Sequence, residues 1–244
     1  SDDFSVARQH LDAHAGELTA IVVEPLLQGA SGMRIYSACW LKGLADWCRA
    51  NDVILILDEI ATGFGRTGTW FAFQQAGIDP DIVCVGKGLS GGYLPISATI
   101  VRDAIYDTFT DRPVDHTLQH GHTFCGNPIA CAASLAALDL YAAGVVDNVP
   151  MLGKHLRNSV QSLDTHPLVK EIRHIGLMTA VELHAEPPPA TGHTRPHRIR
   201  IELMKRGILL RPLGHVLYLM PPLISTEAEI VSMGAELADA ISAS

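Results

Sequence analysis

Apolar and polar positions along this 244-residue chain follow two rhythms in alternation. Helical spacing marks residues 5–16, with Val6, His10 and Leu11 on one side. It marks residues 38–50 more sharply, where Trp40, Leu41, Leu44, Trp47 and Cys48 share a face. Between the helices run unbroken apolar stretches: Leu18 to Val23, Val53 to Leu57, Asp81 to Val85 and Pro95 to Val101. Continuous apolar strands separated by helices predict an α/β fold with a parallel sheet covered on both faces. Pro128 to Leu140, rich in Ala, Leu and Cys, predicts a buried helix.

The texture changes after Gly144, and we place a boundary near 143, giving segments 1–143 and 144–244. The second segment predicts a helix over 145–163 and strands over 168–174 and 176–183. Residues 186–197 carry four prolines and predict a loop, followed by a helix over 198–206 ending at Gly207. Two short strands are expected, 208–212 and 216–220, joined through Gly214. A last helix spans 226–241, with Glu227 and Glu229 in its first turn. No internal repeat or low-complexity tract is present.

Composition narrows the function classes. With 48% apolar and 18% charged residues the chain is not a disordered segment. A net charge of −8 argues against a nucleic-acid groove or a basic membrane-binding face. No run is expected to reach the ~18 apolar residues of a membrane span, and the Ser1-Asp2-Asp3 start does not read as a signal peptide. The five cysteines (Cys39, Cys48, Cys84, Cys125, Cys131) form no C-x-x-C pair and sit mostly in apolar contexts. They predict reduced, buried thiols and a cytoplasmic protein.

In an open α/β sheet, ligands bind beyond the carboxyl ends of the strands. Three such ends carry charge here: Glu24, Asp58-Glu59 and Lys87. A single charge after an apolar run can be a plain strand terminator; three on one edge suggest a site. Lys87 lies between Gly86 and Gly88 and precedes Gly91-Gly92, where glycines let a ligand approach the backbone. A lysine held at a desolvated strand end is a Schiff-base candidate. A carboxylate such as Asp58 can hold a pyridinium nitrogen, as pyridoxal phosphate requires; it could equally cap a strand or bind a metal. Gly63-Phe64-Gly65-Arg66-Thr67-Gly68 matches the G-x-G-x-x-G dinucleotide fingerprint, but Asp58 and Glu59 would repel a pyrophosphate there. Gly86-Lys87-Gly88 lacks the other parts of a P-loop. His116, His120 and His122 fit no common metal-ligand spacing.

Three stretches together resemble the class III aminotransferases: residues 58–68, Pro80-Asp81-Ile82 with 86–92, and Gly121-His122-Thr123-Phe124-Cys125-Gly126-Asn127-Pro128. The resemblance runs through nearly all of the chain and implies the pyridoxal-phosphate-dependent transferase fold type I. Residues 1–143 would be the C-terminal part of the cofactor-binding large domain, and 144–244 a smaller α+β C-terminal domain. It implies Lys87 as the covalent anchor of the cofactor, Asp58 on its ring nitrogen and Ile60 against its ring face. His122 and Thr123 would contact the cofactor phosphate, with Thr123 supplied to a neighbouring subunit's site, so a homodimer is implied. Gly121 would line the substrate site.

The stretches 207–214 and 216–222 are similar to members that aminate 8-amino-7-oxononanoate to 7,8-diaminononanoate in biotin synthesis. There the arginine matching Arg211 holds the substrate carboxylate, which suits a guanidinium fork; a surface ion pair is the plainer role for Arg211. Glu24-Pro25 and residues 28–33 fit the same group, while His122 stands where that group often has proline. S-adenosylmethionine is the expected donor, with lysine used by some relatives. The resemblance begins partway through the family's large domain, so these 244 residues alone are expected to carry about half an active site and little activity. The competing readings are another class III enzyme acting on an ω-amino acid or diamine, a non-catalytic binding or assembly module, and a nucleotide-binding oxidoreductase.

Overall fold

The computed structural model describes residues 3–110, 117–187 and 192–244. The chain divides into two compact units. The first comprises Ser1–Leu26, Tyr36–Phe64 and Trp70–Gly144; the second comprises Leu27–Ile35, Gly65–Thr69 and Val145–Ser244. Two short segments of the N-terminal half therefore belong to the second unit, a partition the linear hydrophobic pattern does not carry.

The first unit is a four-stranded sheet of order β1 (Ala20–Val23), β4 (Ile54–Asp58), β5 (Ile82–Val85) and β6 (Ala98–Val101). β1, β4 and β5 are parallel, with Leu57 aligned on Val83 and Asp58 on Cys84. Helix α1 (Phe4–His14) is capped by the Asp3 side chain, which accepts from Ser5 N. Helix α2 (Ala38–Ala50) starts at Ser37, whose hydroxyl accepts from Trp40 N at 3.1 Å. The predicted face of α2 is buried except at Trp40, which is half-buried: Leu41, Leu44, Trp47 and Cys48 join Leu55, Leu57, Val83 and Val85 in the core. A short helix α3 (Asp103–Tyr106) follows β6.

The sheet is mostly parallel, as expected, and β6 alone of its four strands runs antiparallel, pairing with β5. A parallel crossover needs a dozen or more residues, usually a helix. The 86–97 connection contains no crossover helix, only the 3-10 turn Lys87–Ser90, and the strand returns alongside its neighbour. Helix α4 (Pro128–Leu140) forms where predicted but is not buried as a whole. Only Ala130, Ser134 and Ala137 are covered, while Ile129, Leu135 and Leu140 are exposed. An all-apolar helix gives the sequence no way to mark which stripe its own chain covers. The stretch Pro128–Val145 is also long and apolar enough to pass a length-and-composition test for a membrane span, contrary to the sequence expectation. Asp139 and the break at Gly144 (φ 109°) interrupt it.

The second unit places three antiparallel strands, β7 (Val169–Ile175), β8 (Met178–Leu183) and β9 (Val216–Leu219), in sequential order. Helices α5 (Val149–Ser159), α6 (Arg195–Lys205) and α7 (Glu227–Ser242) supply the rest of its core, including Leu152, Leu156, Leu203, Leu237 and Ile241 with Leu177, Val181 and Leu217. A two-stranded ribbon of β2 (Leu27–Gln28) and β3 (Arg34–Ile35) adds Leu27 and Met33 to a smaller cluster with Met178 and Ala180. α7 begins with a capping box in which Thr226 and Glu229 bond each other's backbone N–H. α6 begins at Arg195, inside the predicted loop, because Pro196 suits the first turn of a helix. Residues 208–212 are not a strand: Pro212 has no N–H to give, and only Leu213 bridges to Val216.

α5 and α7 meet closely at Gly234. A Cβ there would lie 2.6 Å from Ser159 Cβ. Gly234→Ala in the complete protein should therefore cost about 1–3 kcal/mol, read as a lower urea midpoint. Gly16→Ala, with nothing within 4 Å of the new Cβ, should be neutral or stabilise by up to about 1 kcal/mol. Equal midpoints for the two variants would contradict this packing.

Candidate active site

The carboxyl edge of β4 and β5 gathers the expected residues. Glu59 N donates to Cys84 O at 2.9 Å, extending the parallel ladder one step past Asp58. Lys87 lies three residues beyond Cys84. Strand spacing and rise therefore place the Cα atoms of Asp58 and Lys87 about 11 Å apart or less. Asp58 is half-buried, and its Oδ1 accepts from Ile60 N at 3.0 Å. Its Oδ2 has no partner among the described residues. Gly86 adjoins Ile60: a Cβ there would meet Ile60 Cγ2 at 3.4 Å. The Lys87 amine likewise makes no hydrogen bond or ion pair among the described residues.

Lys87 departs from the expected desolvated amine, since its side chain is exposed. The strand end is buried through Val85 and Gly86, and the chain turns outward at 87. Lys87 adopts φ +39°, a left-handed value that costs a non-glycine residue about 1–3 kcal/mol. Several contacts hold it there. Leu89 N donates to Gly86 O at 2.9 Å, and Gly92 N to Lys87 O at 3.1 Å. Tyr141 OH donates to Gly88 O at 2.7 Å. Gly88 must be glycine, since a Cβ would stand 2.9 Å from Phe64 Cδ2. Phe64 in turn stacks on Tyr141 at 5.7 Å between ring centroids.

Glu59 carries a role that the linear pattern does not reveal. It is fully buried. Its Oε2 accepts from the Thr62 hydroxyl at 2.5 Å and its Oε1 from Phe73 N at 3.0 Å. The side chain thereby closes the loop that leaves β4 and anchors the 3-10 turn Ala72–Ala76. Burial pushes the Glu59 carboxyl above the usual carboxylate range. The hydrogen bonds from Thr62, Phe73 and Ala72 pull it back, and the neighbouring Asp58 charge adds to the rise. The spacing Glu59-x-x-Thr62 was the available signal. Glu24, the third strand-end charge, has its backbone carbonyl bound by Tyr36 OH at 2.6 Å.

The G-x-G-x-x-G stretch serves packing. Gly65 and Gly68 adopt φ +92° and +103°. Arg66 Nη1 donates to Leu177 O and Pro221 O, both at 2.8 Å, and Leu177 N donates back to Arg66 O. Gly121, His122 and Thr123 are exposed in the segment before α4. There His122 N lies 3.2 Å from Cys125 Sγ, and Phe124 N donates to His122 Nδ1 at 3.2 Å. His120 is exposed and His116 lies outside the described residues. All five cysteines are free thiols, but only Cys48 is buried; Cys39 and Cys125 are exposed. In the second unit, Arg211 is exposed and lines a cavity of about 420 Å³ with Arg200, Leu209, Leu210, Tyr218 and Met220.

Residues 5–241 match the family described as aminotransferase class-III. The chain is 44% identical over 227 residues to an adenosylmethionine-8-amino-7-oxononanoate aminotransferase of Nitratidesulfovibrio vulgaris, covering 90% of this chain and 42% of that protein. It is 43% identical to the protein of that name from Synechococcus elongatus, covering 92% and 53%. Among solved structures, the adenosylmethionine-8-amino-7-oxononanoate aminotransferase of Methanocaldococcus jannaschii superposes with a TM-score of 0.90 at 38% identity, over 96% of this chain and 56% of that one. An amine transaminase from an uncultivated Pseudomonas species, in PLP-bound form, superposes with a TM-score of 0.90 at 34% identity, over 98% and 56%. The chain therefore belongs to the class III aminotransferases and has part of their α/β architecture. It spans about half the length of the curated relatives it matches.

The Glu59 network has a signed pH dependence. The fold favours the protonated side chain, so the stability it contributes is lost as pH rises from the ordinary value near 4.5 through the raised one. Glu59→Gln keeps an acceptor for Phe73 N and cannot ionise. Its stability relative to the parent should improve between pH 5 and pH 8 in denaturation midpoints; a relative loss over that range would contradict the assignment. Thr62→Val should cost about 1–3 kcal/mol, more at the higher pH.

Proposed function

We propose that the complete protein is a pyridoxal-phosphate-dependent aminotransferase that converts 8-amino-7-oxononanoate to 7,8-diaminononanoate, with S-adenosylmethionine as amino donor. The observation that carries the reading is a carboxylate oxygen and an amine, both without a partner among the described residues, at the ends of adjacent parallel strands. The donor set suits the cofactor. Asp58 Oδ2 is a free acceptor for a ring N–H, Ile60 offers an apolar face, and Lys87 Nζ is a free nucleophile. The names of relatives 37–44% identical to this chain support the choice of substrate and donor.

When bound, pyridoxal phosphate supplies an electron sink for the carbon that loses its proton. Asp58 holds the ring nitrogen protonated, which sustains that sink. Lys87 Nζ would be the covalent anchor of the cofactor, and its amine would also serve as the general base that holds and moves the proton of the donor carbon. The left-handed backbone at Lys87, fixed by Tyr141 and Phe64 through Gly88, sets the arc that this amine sweeps. Arg211 binds the carboxylate of the keto acid, and Gly121 lines its path.

The protein acts as a homodimer in which Thr123, with His122 beside it, reaches the cofactor phosphate of the second copy. The exposure of residues 121–125 and of Phe124, Ile129, Leu135 and Leu140 supports a covered interface there. We read this apolar side of α4 as a protein contact, and residues 1–143 and 144–244 as part of the family's large domain and its small domain. Net charge −8 and five free thiols support a cytoplasmic enzyme without nucleic-acid or membrane partners.

Lys87→Ala in the complete protein should abolish both transamination and the long-wavelength absorbance of the bound cofactor; retained turnover would remove Lys87 from its role. Arg211→Ala should raise KM for the keto acid about tenfold or more, with little change for an amine donor that lacks a carboxylate. Equal effects on both substrates would contradict the carboxylate assignment.

A further inference from the structure

We propose that Arg200 is a second carboxylate-binding residue beside Arg211, so that two guanidinium groups and an apolar wall select a straight-chain acid. The proposal rests on the reading of Arg211 given above and extends it to a residue outside the family motifs. Arg200 lies on α6 and Arg211 in the segment that follows, and both line the same cavity of about 420 Å³. The cavity is formed within the second unit alone. Ile208 N donates to Leu203 O at 2.9 Å, which turns the chain at the end of α6. The bridge of Leu213 to Val216 then brings the segment back along β9, whose Tyr218 faces the cavity.

Charge accounting singles out these two residues. Most arginines of this unit are engaged: Arg157 with Asp164, Arg173 with Glu171 and Glu182, Arg195 and Arg198 with Glu186, and Arg206 with Glu202 and Glu236. Arg66 is held by two carbonyls. The side chains of Arg200 and Arg211 make no ion pair or hydrogen bond among the described residues; the Arg34 side chain, likewise without a partner there, is exposed on β3. The acids nearest Arg200 in sequence are already taken: Glu202 pairs with Lys205 and Arg206, and Glu186 with Arg195 and Arg198. Two like charges left together in one cavity repel each other, and a bound anion relieves that repulsion while gaining charge-assisted hydrogen bonds.

The remaining lining sets the class of anion. Leu209, Leu210, Tyr218 and Met220 give an apolar wall with one hydroxyl. Leu209, 77% exposed, leaves apolar surface open along the cavity. Inorganic phosphate would leave that wall wet. A carboxylate carrying a polymethylene stem uses both halves of the site, and the keto acid assigned above is such a molecule.

The test is calorimetric titration of the complete, cofactor-loaded protein with nonanoate, a straight-chain acid without the reacting groups, and with neutral nonanamide. Arg200→Met and Arg200→Gln should each weaken nonanoate about tenfold or more and leave nonanamide unchanged. KM for the keto acid should rise with kcat held. Thermal melts of both variants at the parent's midpoint exclude unfolding as the cause. Parent-like nonanoate binding by both Arg200 variants, with Arg211→Met weakened, would overturn the proposal and leave the reading of Arg211 standing. Parent-like binding by Arg211→Met as well would overturn that reading too. Phosphate binding the parent as tightly as nonanoate would overturn the selection by the apolar wall.

Discussion

The parallel register of β4 on β5 is the constraint on which the site depends. Leu55 N donates to the Asp81 carboxylate at 2.8 Å and Asp81 N to Leu55 O at 3.1 Å, which fixes the pairing where β5 begins. Glu59 N donating to Cys84 O fixes it at the other end. A slip of one residue would turn every side chain of β4 to the opposite face. Leu55 and Leu57 would leave the core, and Asp58 would point away from its present side. The same ladder therefore keeps the apolar residues inside and brings Asp58, Ile60 and Lys87 to one edge.

Around that edge the chain departs from comfortable local structure, and each departure has a neighbour that sustains it. Lys87 holds a left-handed backbone beside a Gly88 that the Tyr141 hydroxyl bonds and the ring of Phe64 packs against. Glu59 stays buried because three donors meet its carboxyl. Conformational cost concentrated at one sheet edge, and met by dedicated hydrogen bonds, is characteristic of a functional site. Among the described residues, the exposed Lys87 amine and Asp58 Oδ2 have no partner there.

Much of this was legible in the sequence. The β-branched runs and the face of α2 follow directly from burial periodicity, and Asp58 and Lys87 stand out as charges that end apolar runs. Other features depend on distances the linear pattern does not carry. The direction of β6 goes with an 86–97 connection that holds no crossover helix. The covered stripe of α4 cannot be read from a helix apolar on every side. Pro212, with no N–H to give a ladder, goes with a 208–212 segment that stays out of the sheet although its composition reads as a strand. Glu59 looks like an ordinary strand-end charge until Thr62 and Phe73 fold over it. Arg200 belongs to a run of basic residues on α6, and only the pairing of its neighbours shows that it has been left free.

The most direct measurement of the central claim is borohydride reduction of the complete protein after loading with pyridoxal phosphate, followed by peptide mass spectrometry. The expected result is a stable pyridoxyl group on the peptide bearing Lys87, formed in the parent and in Asp58→Asn but absent from Lys87→Ala. Stoichiometric labelling of a different lysine, or a parent protein that takes up no label, would contradict the account.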